Sequence, residues 1–152
     1  GKKKYGSCCG KIPLSNKSCI LKGEIPSQII HLEHLQVLSL YSHHIAGEIP
    51  PIGKLQNLKI LQLSVNNMSG PLPKEMYSLK NLDVLDINDN NFVGTISHDI
   101  ENMKSLELVS LYNNNFEGKI PWTSASILKR VYILYLDVNM FFHQSCTREI
   151  CS

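Results

Sequence analysis

From Leu82 to Gly94 the chain sets apolar residues at Leu82, Leu85, Ile87 and Phe92, with Asn90 between the last two. Within Leu85-Asp86-Ile87-Asn88 apolar and polar residues alternate, the period of a strand with one buried face. The same spacing appears one unit earlier as Leu58, Leu61, Leu63, Asn66, Met68 and Gly70, and one unit later as Leu106, Val109, Leu111, Asn114, Phe116 and Gly118. Leu35, Leu38, Leu40, His43, Ile45 and Gly47 form an earlier copy, and Val131, Leu134, Leu136, Asn139 and Phe141 a late one. Glycines 23, 47, 70, 94 and 118 stand 24, 23, 24 and 24 residues apart. Such a period marks one supersecondary unit that cannot bury its own apolar face, so neighbours stack into a solenoid. The pattern predicts six parallel strands centred near residues 14–16, 37–40, 60–63, 84–87, 108–111 and 133–136. A solenoid presents one continuous surface and seldom a deep pocket, so binding is expected before catalysis.

Asn66, Asn90, Asn114 and Asn139 share one position of the repeat. Stacked parallel turns point backbone N–H and C=O groups inward at the bend, and a buried carboxamide can satisfy them from unit to unit. His43 holds that position in the earlier copy, where its ring can donate one bond while a carboxamide makes more. It reads as a structural substitute first and a pH-sensitive group second. Each glycine is expected to allow a tight turn, and the Ile-Pro that follows at Ile25-Pro26, Ile49-Pro50 and Ile120-Pro121 leaves the strand without continuing it.

These residues resemble the leucine-rich-repeat family in its plant extracellular variety, with consensus L-x-x-L-x-L-x-x-N-x-L-x-G-x-I-P, over about residues 14–141. The resemblance implies an α/β fold: a curved right-handed solenoid with a parallel sheet on its concave side and short 3-10 or helical turns on its convex side. It divides the chain into a cap remnant over 1–13, about five to six repeats of 23–25 residues over 14–141, and a C-terminal cysteine cap over 142–152. The family usually opens with a helical cap carrying a C-x-W-x-G-V-x-C-like motif; here Cys8-Cys9 leads almost directly to Leu14, and the single Trp122 follows the last glycine turn. That departure points to a truncation or a degenerate member.

Cysteines occur only at the ends: Cys8, Cys9 and Cys19, then Cys146 and Cys151. Solenoid ends expose core edges, and a disulfide-closed cap seals them in oxidising compartments. Cys146 and Cys151 resemble the paired C-terminal cysteines of plant ectodomains of this family. At the other end one sulfur is left over. Cys19 falls on the ladder position, 24 residues before His43; a bridge from Cys8 or Cys9 to it is favoured over a free ladder thiol.

At 152 residues the chain is expected to form one domain, and its 43% apolar residues fall at regular positions, so a continuous core follows. A net charge of +2 is too small to imply a nucleic-acid partner, and Lys2-Lys3-Lys4 is short and terminal, a solvated end. No stretch approaches the roughly 20 apolar residues that cross a bilayer. No apolar run follows the opening lysines as a secretory signal would, so a mature or excised soluble chain is expected.

Candidate chemistry is sparse. His31 and His34 lack a carboxylate or cysteine at ligand spacing, and no metal or other cofactor is expected. No Gly-x-Ser-x-Gly elbow, phosphate loop or His-Glu-x-x-His occurs, and Asp86 with Asp89 on an open sheet has nothing to raise one carboxyl by desolvation. An enzyme is not expected.

The concave face remains. Its first outward column reads Ser39, Gln62, Asp86, Ser110 and Tyr135, and the next Tyr41, Ser64, Asn88, Tyr112 and Asp137. Beside the ladder stand Ser42, Val65, Asp89, Asn113 and Val138. Val37, Ile60, Val84, Leu108 and Ile133 form an apolar column, read either as packing at the strand entrance or as a stripe that a partner covers. Tyrosine buries large area at low entropic cost and keeps a polar tip, so Tyr41, Tyr112 and Tyr135 are the expected anchors. Asp86, Asp89 and Asp137 make the face acidic within a net basic chain, which suits a basic peptide or protein patch. Six strands about 4.8 Å apart would span roughly 25–30 Å, the length of an extended peptide of about eight or nine residues. The partner-binding set is therefore Tyr41, Gln62, Ser64, Asp86, Asn88, Asp89, Ser110, Tyr112, Asn113, Tyr135 and Asp137.

Sequons at Asn67-Met68-Ser69 and Asn16-Lys17-Ser18 point to an extracellular, cell-surface or secreted (apoplastic) location. Asn67 is expected in the turn beside the ladder, where a glycan fits; Asn16 aligns with an inward apolar position, which argues against a glycan there. The leading functional expectation is a plant receptor-kinase or co-receptor ectodomain in signalling or defence, binding a protein or peptide that includes a co-receptor among its candidates. The alternatives are a secreted inhibitor of a cell-wall-degrading enzyme, similar to the polygalacturonase-inhibiting proteins, and a structural or ice-binding wall protein.

Overall fold

A computed structural model of the chain describes residues 20–121, 131, 133–137 and 139–141. The strand expected near 14–16, both cysteine caps with Cys8, Cys9, Cys19, Cys146 and Cys151, and the Asn16 sequon lie outside the described residues.

Each repeat contributes two short strands. In chain order they are β1 (Lys22–Glu24), β2 (Val37–Ser39), β3 (His44–Gly47), β4 (Ile60–Gln62), β5 (Asn67–Gly70) and β6 (Val84–Asp86). There follow β7 (Asn91–Thr95), β8 (Leu108–Ser110), β9 (Asn115–Gly118), β10 (Ile133–Tyr135) and β11 (Met140–Phe141). Strands β2, β4, β6, β8 and β10 pair side by side in one parallel sheet, at the positions the alternating pattern predicts. Its register sets equivalent residues beside one another: Gln62 faces Asp86, and Asp86 faces Ser110.

The remaining strands build a second parallel sheet, ordered β1-β3-β5-β7-β9-β11, which the sequence reading does not contain. The glycines therefore lie within strands, the last residue at Gly47, Gly70 and Gly118, rather than in isolated turns, and Asn67 opens β5 instead of sitting in a turn. Each of these strands buries little more than one side chain, such as Phe92 in β7, so no alternation betrays it. Their bonds run wholly between repeats. Gly70 shows why the closing residue is glycine: its φ is +79°, and a Cβ there would lie 2.6 Å from Glu48 Cγ.

On the opposite side the chain returns through 3-10 turns at Ser27–His31, Ile52–Lys54, Lys74–Ser78 and His98–Asn102. Ser97 Oγ caps the last of these by accepting the Asp99 N–H at 3.1 Å. Asn57 and Asn81 tie the returns together, donating to the Glu33 and Gln56 carbonyls of the preceding unit, each at 2.8 Å.

Between these layers lies one core, in which Leu58, Leu61, Leu63, Met76, Leu82 and Leu85 are fully buried. Phe92, Phe116 and Phe141 stack along it, with ring centroids 6.2 and 6.4 Å apart. The amide ladder runs beside them. Asn90 Oδ1 accepts the Met68 N–H at 2.9 Å, and its Nδ2 donates to the carbonyls of Leu63, Asn88 and Ile87 at 3.0, 3.1 and 3.2 Å. Asn66, Asn114 and Asn139 repeat that arrangement through the N–H groups of Ile45, Phe92 and Phe116.

His43 takes the position differently from the donor role expected of it. Its Nδ1 accepts the Leu21 N–H at 3.4 Å, which requires the tautomer protonated at Nε2. A neutral imidazole has one N–H where a carboxamide has two, so it cannot reproduce the several carbonyl contacts that a ladder asparagine makes.

The residue before each ladder position, Ser42, Val65, Asp89 and Asn113, has φ between 52° and 58°. This left-handed conformation lets the chain turn from the first sheet into the ladder. Serine, aspartate and asparagine tolerate it; a β-branched valine does not.

Two measurements check this account. Asn90→Ala should orphan the buried Met68 N–H, while the three carbonyls keep donors from Asn66, Asn114 and Val65, and lower stability by about 1–3 kcal/mol; an unchanged unfolding midpoint would mean that the N–H finds water instead. Val65→Asn should relieve strain and raise stability by about 1 kcal/mol, read as a melting shift of roughly 2–4 °C. A lower melting temperature would show that the Val65 side chain contributes packing that outweighs its backbone.

Candidate functional site

The outward face of the five-stranded sheet gathers the residues expected to bind a partner, but not all of them are accessible. Ser64, Asn88 and Ser110 are covered, with 1, 8 and 5% of their surface exposed. They are short side chains between longer neighbours, and they bond within the sheet. Ser64 Oγ donates to Asp86 Oδ2 at 2.9 Å, and Ser110 Oγ donates to Asn88 Oδ1 at 3.3 Å. Their expected place in a contact surface is corrected to support beneath it.

Asp86 is the hub of the first column. Gln62 Nε2 also donates to its Oδ2, at 3.3 Å, while Gln62 Oε1 accepts from Ser39 Oγ at 2.9 Å. The other carboxylate oxygen, Oδ1, is covered and has no partner among the described residues. Asp89 is more fully engaged. Asn113 Nδ2 donates to its Oδ1 at 2.7 Å, and Asn88 Nδ2 donates to its Oδ2. Donation from Asn113 first, then from Asn88 and Tyr112, holds the Asp89 carboxyl below the usual range against the opposing effect of partial burial. The bond to Asp89 in turn pushes the half-buried Tyr112 phenol up.

Tyr112 and Tyr135 meet edge to face, with ring centroids 6.4 Å apart. Tyr41 stands alone near the other end of the sheet, more than half exposed, as is Tyr135. Asn113 and Asp137 are exposed, and Gln62 is half-buried. The apolar column is neither sealed nor fully open: Val37 is 49% exposed, whereas Ile60, Val84 and Leu108 are half-buried.

The described surface also holds two shallow hollows. One, about 440 Å³, lies beside the ladder and is lined by Asn66, Asn90, Asn91, Asn114, Asn115 and the Asp89–Asn113 pair. The other, about 540 Å³, lies on the 3-10 side between Lys74, Tyr77, Lys80, Asp99 and Lys104. Burial pushes the Tyr77 phenol up there, with Asp99 adding to it, while the Ser97 N–H donates to its oxygen at 3.2 Å. Asn67 is exposed at the head of β5.

Comparison with known proteins agrees with the repeat geometry. Residues 81–103 match the Leucine Rich Repeat family model. The ectodomain of the receptor kinase SOBIR1 from Arabidopsis thaliana superposes with a TM-score of 0.73 at 29% identity, covering 80% of this chain and 68% of that one. The chain carries leucine-rich repeats and resembles plant extracellular ectodomains built from them.

A probable LRR receptor-like serine/threonine-protein kinase of Arabidopsis thaliana is 46% identical over 63 residues, 41% of this chain. The match spans only 7% of that kinase. The Arabidopsis receptor kinase HAESA, in complex with the peptide hormone IDA and the co-receptor SERK1, gives a TM-score of 0.74 at 30% identity. This leucine-rich-repeat chain covers 20% of that structure, which covers 80% of it in return.

Sequence reasoning missed the left-handed column and the asparagine-lined hollow. Their signal was present in the run of Ser, Asp and Asn before the ladder and in Asn67, Asn91 and Asn115 one residue after it.

The coupling of Asp89 to Tyr112 is open to direct measurement. Because the Asp89 carboxyl is held low, its bonds persist above the ordinary carboxylate range and release only as pH falls through that depressed value. In Asp89→Asn the Tyr112 phenol should titrate closer to an ordinary tyrosine, followed by NMR of its ring resonances. An unmoved Tyr112 midpoint would show that the two side chains do not interact in solution.

Proposed function

We propose that this chain recognises a protein or peptide through the outward face of its five-stranded sheet, as part of a plant receptor-kinase or co-receptor ectodomain in signalling or defence. The observation that carries the reading is an uncovered sheet face bearing Tyr41, Tyr112 and Tyr135. Large aromatic side chains held on a rigid sheet lose little freedom on contact and bury much area. The similarity to a receptor kinase in complex with a peptide hormone supports the same class of ligand. Binding here needs no cofactor. The reading places the working surface outside the cell, in keeping with an exposed sequon asparagine at position 67.

The sheet face works through rigidity. Each strand is pinned to the next by backbone bonds, and Ser64, Asn88 and Ser110 brace the carboxylates from below. A partner therefore meets side chains already set in place and does not have to order them.

The test uses the partner recovered from plant extracellular fluid on the immobilised chain. Tyr112→Ala and Asp137→Ala should weaken its binding with the melting temperature unchanged, the tyrosine by about 2 kcal/mol or more. Lys104→Ala, on the 3-10 side, should have no effect. If Lys104→Ala abolished binding while Tyr112→Ala left it intact, recognition would belong to the opposite face.

A further inference from the structure

The outward face carries charge of one sign. Asp86 and Asp89 share one unit and Asp137 stands two units further on, whereas no lysine, arginine or histidine occupies 37–39, 60–62, 84–86, 108–110 or 133–135. None occurs in the turns that lead from those strands to the ladder either, at 40–42, 63–65, 87–89, 111–113 and 136–138. Lys59 precedes β4 and lies outside these positions. The chain as a whole is +2, so its basic residues stand elsewhere.

Two bands lie side by side on this sheet. Val37, Ile60, Val84 and Leu108 form an aliphatic band, and two residues further along each strand, about 7 Å away, runs the column that holds Asp86 and Tyr135. The aliphatic band is partly exposed along its described length. The column of Asp86 ends at the Tyr112–Tyr135 corner, whose ring faces suit a cation. Asp86 stands half-buried in the same column, a carboxylate that a positively charged donor can approach from outside.

We propose that this face takes an extended cationic peptide segment, with a lysine or arginine over Asp86 and Asp89 against the Tyr112–Tyr135 corner and aliphatic side chains on the Val37–Leu108 band. The inference rests on the recognition reading above and deepens it by naming the partner's chemistry. Charge complementarity selects the occupant. A peptide placing its terminal carboxylate or an acidic side chain on these columns would meet three carboxylates and no cation, a repulsion that costs affinity and slows encounter. The long stem of lysine or arginine can lie on apolar surface while its head reaches an acid. Asp89 keeps its charge to low pH, so the attraction holds across mildly acidic conditions.

The experiment pans a phage-displayed library of random nonapeptides against the immobilised full chain, then resynthesises the selected sequences with a fluorescent label. Selected peptides should be enriched in lysine or arginine next to aliphatic residues. Replacing the basic residue by norleucine should weaken binding about tenfold or more. Raising salt from about 0.1 M to about 0.5 M should weaken it as well. The protein double variant Asp86→Asn with Asp89→Asn should show the same loss. Should that variant melt early, the norleucine peptides, which leave the protein untouched, decide alone. Selected peptides that depend on Tyr112 but ignore both norleucine substitution and salt would overturn the cationic assignment and leave the binding face standing. Peptides indifferent to Tyr112→Ala and to the aspartate changes, or no selected peptide at all, would overturn both.

Discussion

Backbone polar groups turned inward at every bend are the constraint on which this molecule depends. A repeat of about two dozen residues closes on itself only if the chain folds over a core too narrow for water, and the peptide groups there cannot be left unpaired. One carboxamide per unit resolves this. Asn90 takes the Met68 N–H from the unit before and returns its own amide protons to carbonyls of both units. The ladder thus does two things at once: it satisfies the bend and it fixes the offset between neighbouring units.

That offset organises the surface. With units locked in register, equivalent residues align into columns, and each column acquires a single character. Phe92, Phe116 and Phe141 stack inside; Val84 and Leu108 run along one edge of the sheet; Asp86, Asp89 and Tyr112 gather on its face. Where a unit departs from the rule, the cost is local. His43 supplies only an acceptor to Leu21, and Val65 holds a conformation that its side chain opposes. Neither disturbs the register of the sheets around it, because each unit is bonded to its neighbours through many independent groups.

The acidic face also follows from support beneath it. Asp86 is held by Ser64 and Gln62, and Asp89 by Asn113, Asn88 and Tyr112. These donors orient both carboxylates, and at Asp89 they also favour the charged form. A surface of this kind discriminates by charge sign before it discriminates by shape.

Period, strand positions, core face and ladder asparagines were legible in the amino-acid sequence, because each rests on spacing along one chain. Leu85 and Ile87 flank Asp86 whatever the units around them do, and Asn66, Asn90 and Asn114 recur at fixed intervals. The outward residues could be grouped into columns for the same reason, yet their exposure could not be read. Ser64, Asn88 and Ser110 share columns with Tyr112 and Asp86 but are covered by the side chains beside them, whose size and direction depend on adjacent units. The second sheet was hidden for a related reason: its strands bury hardly more than one residue each, and every bond that defines them joins residues about 22 positions apart. Sequence spacing determined what each residue faces within its own unit; stacking between units decided which of those faces remain open.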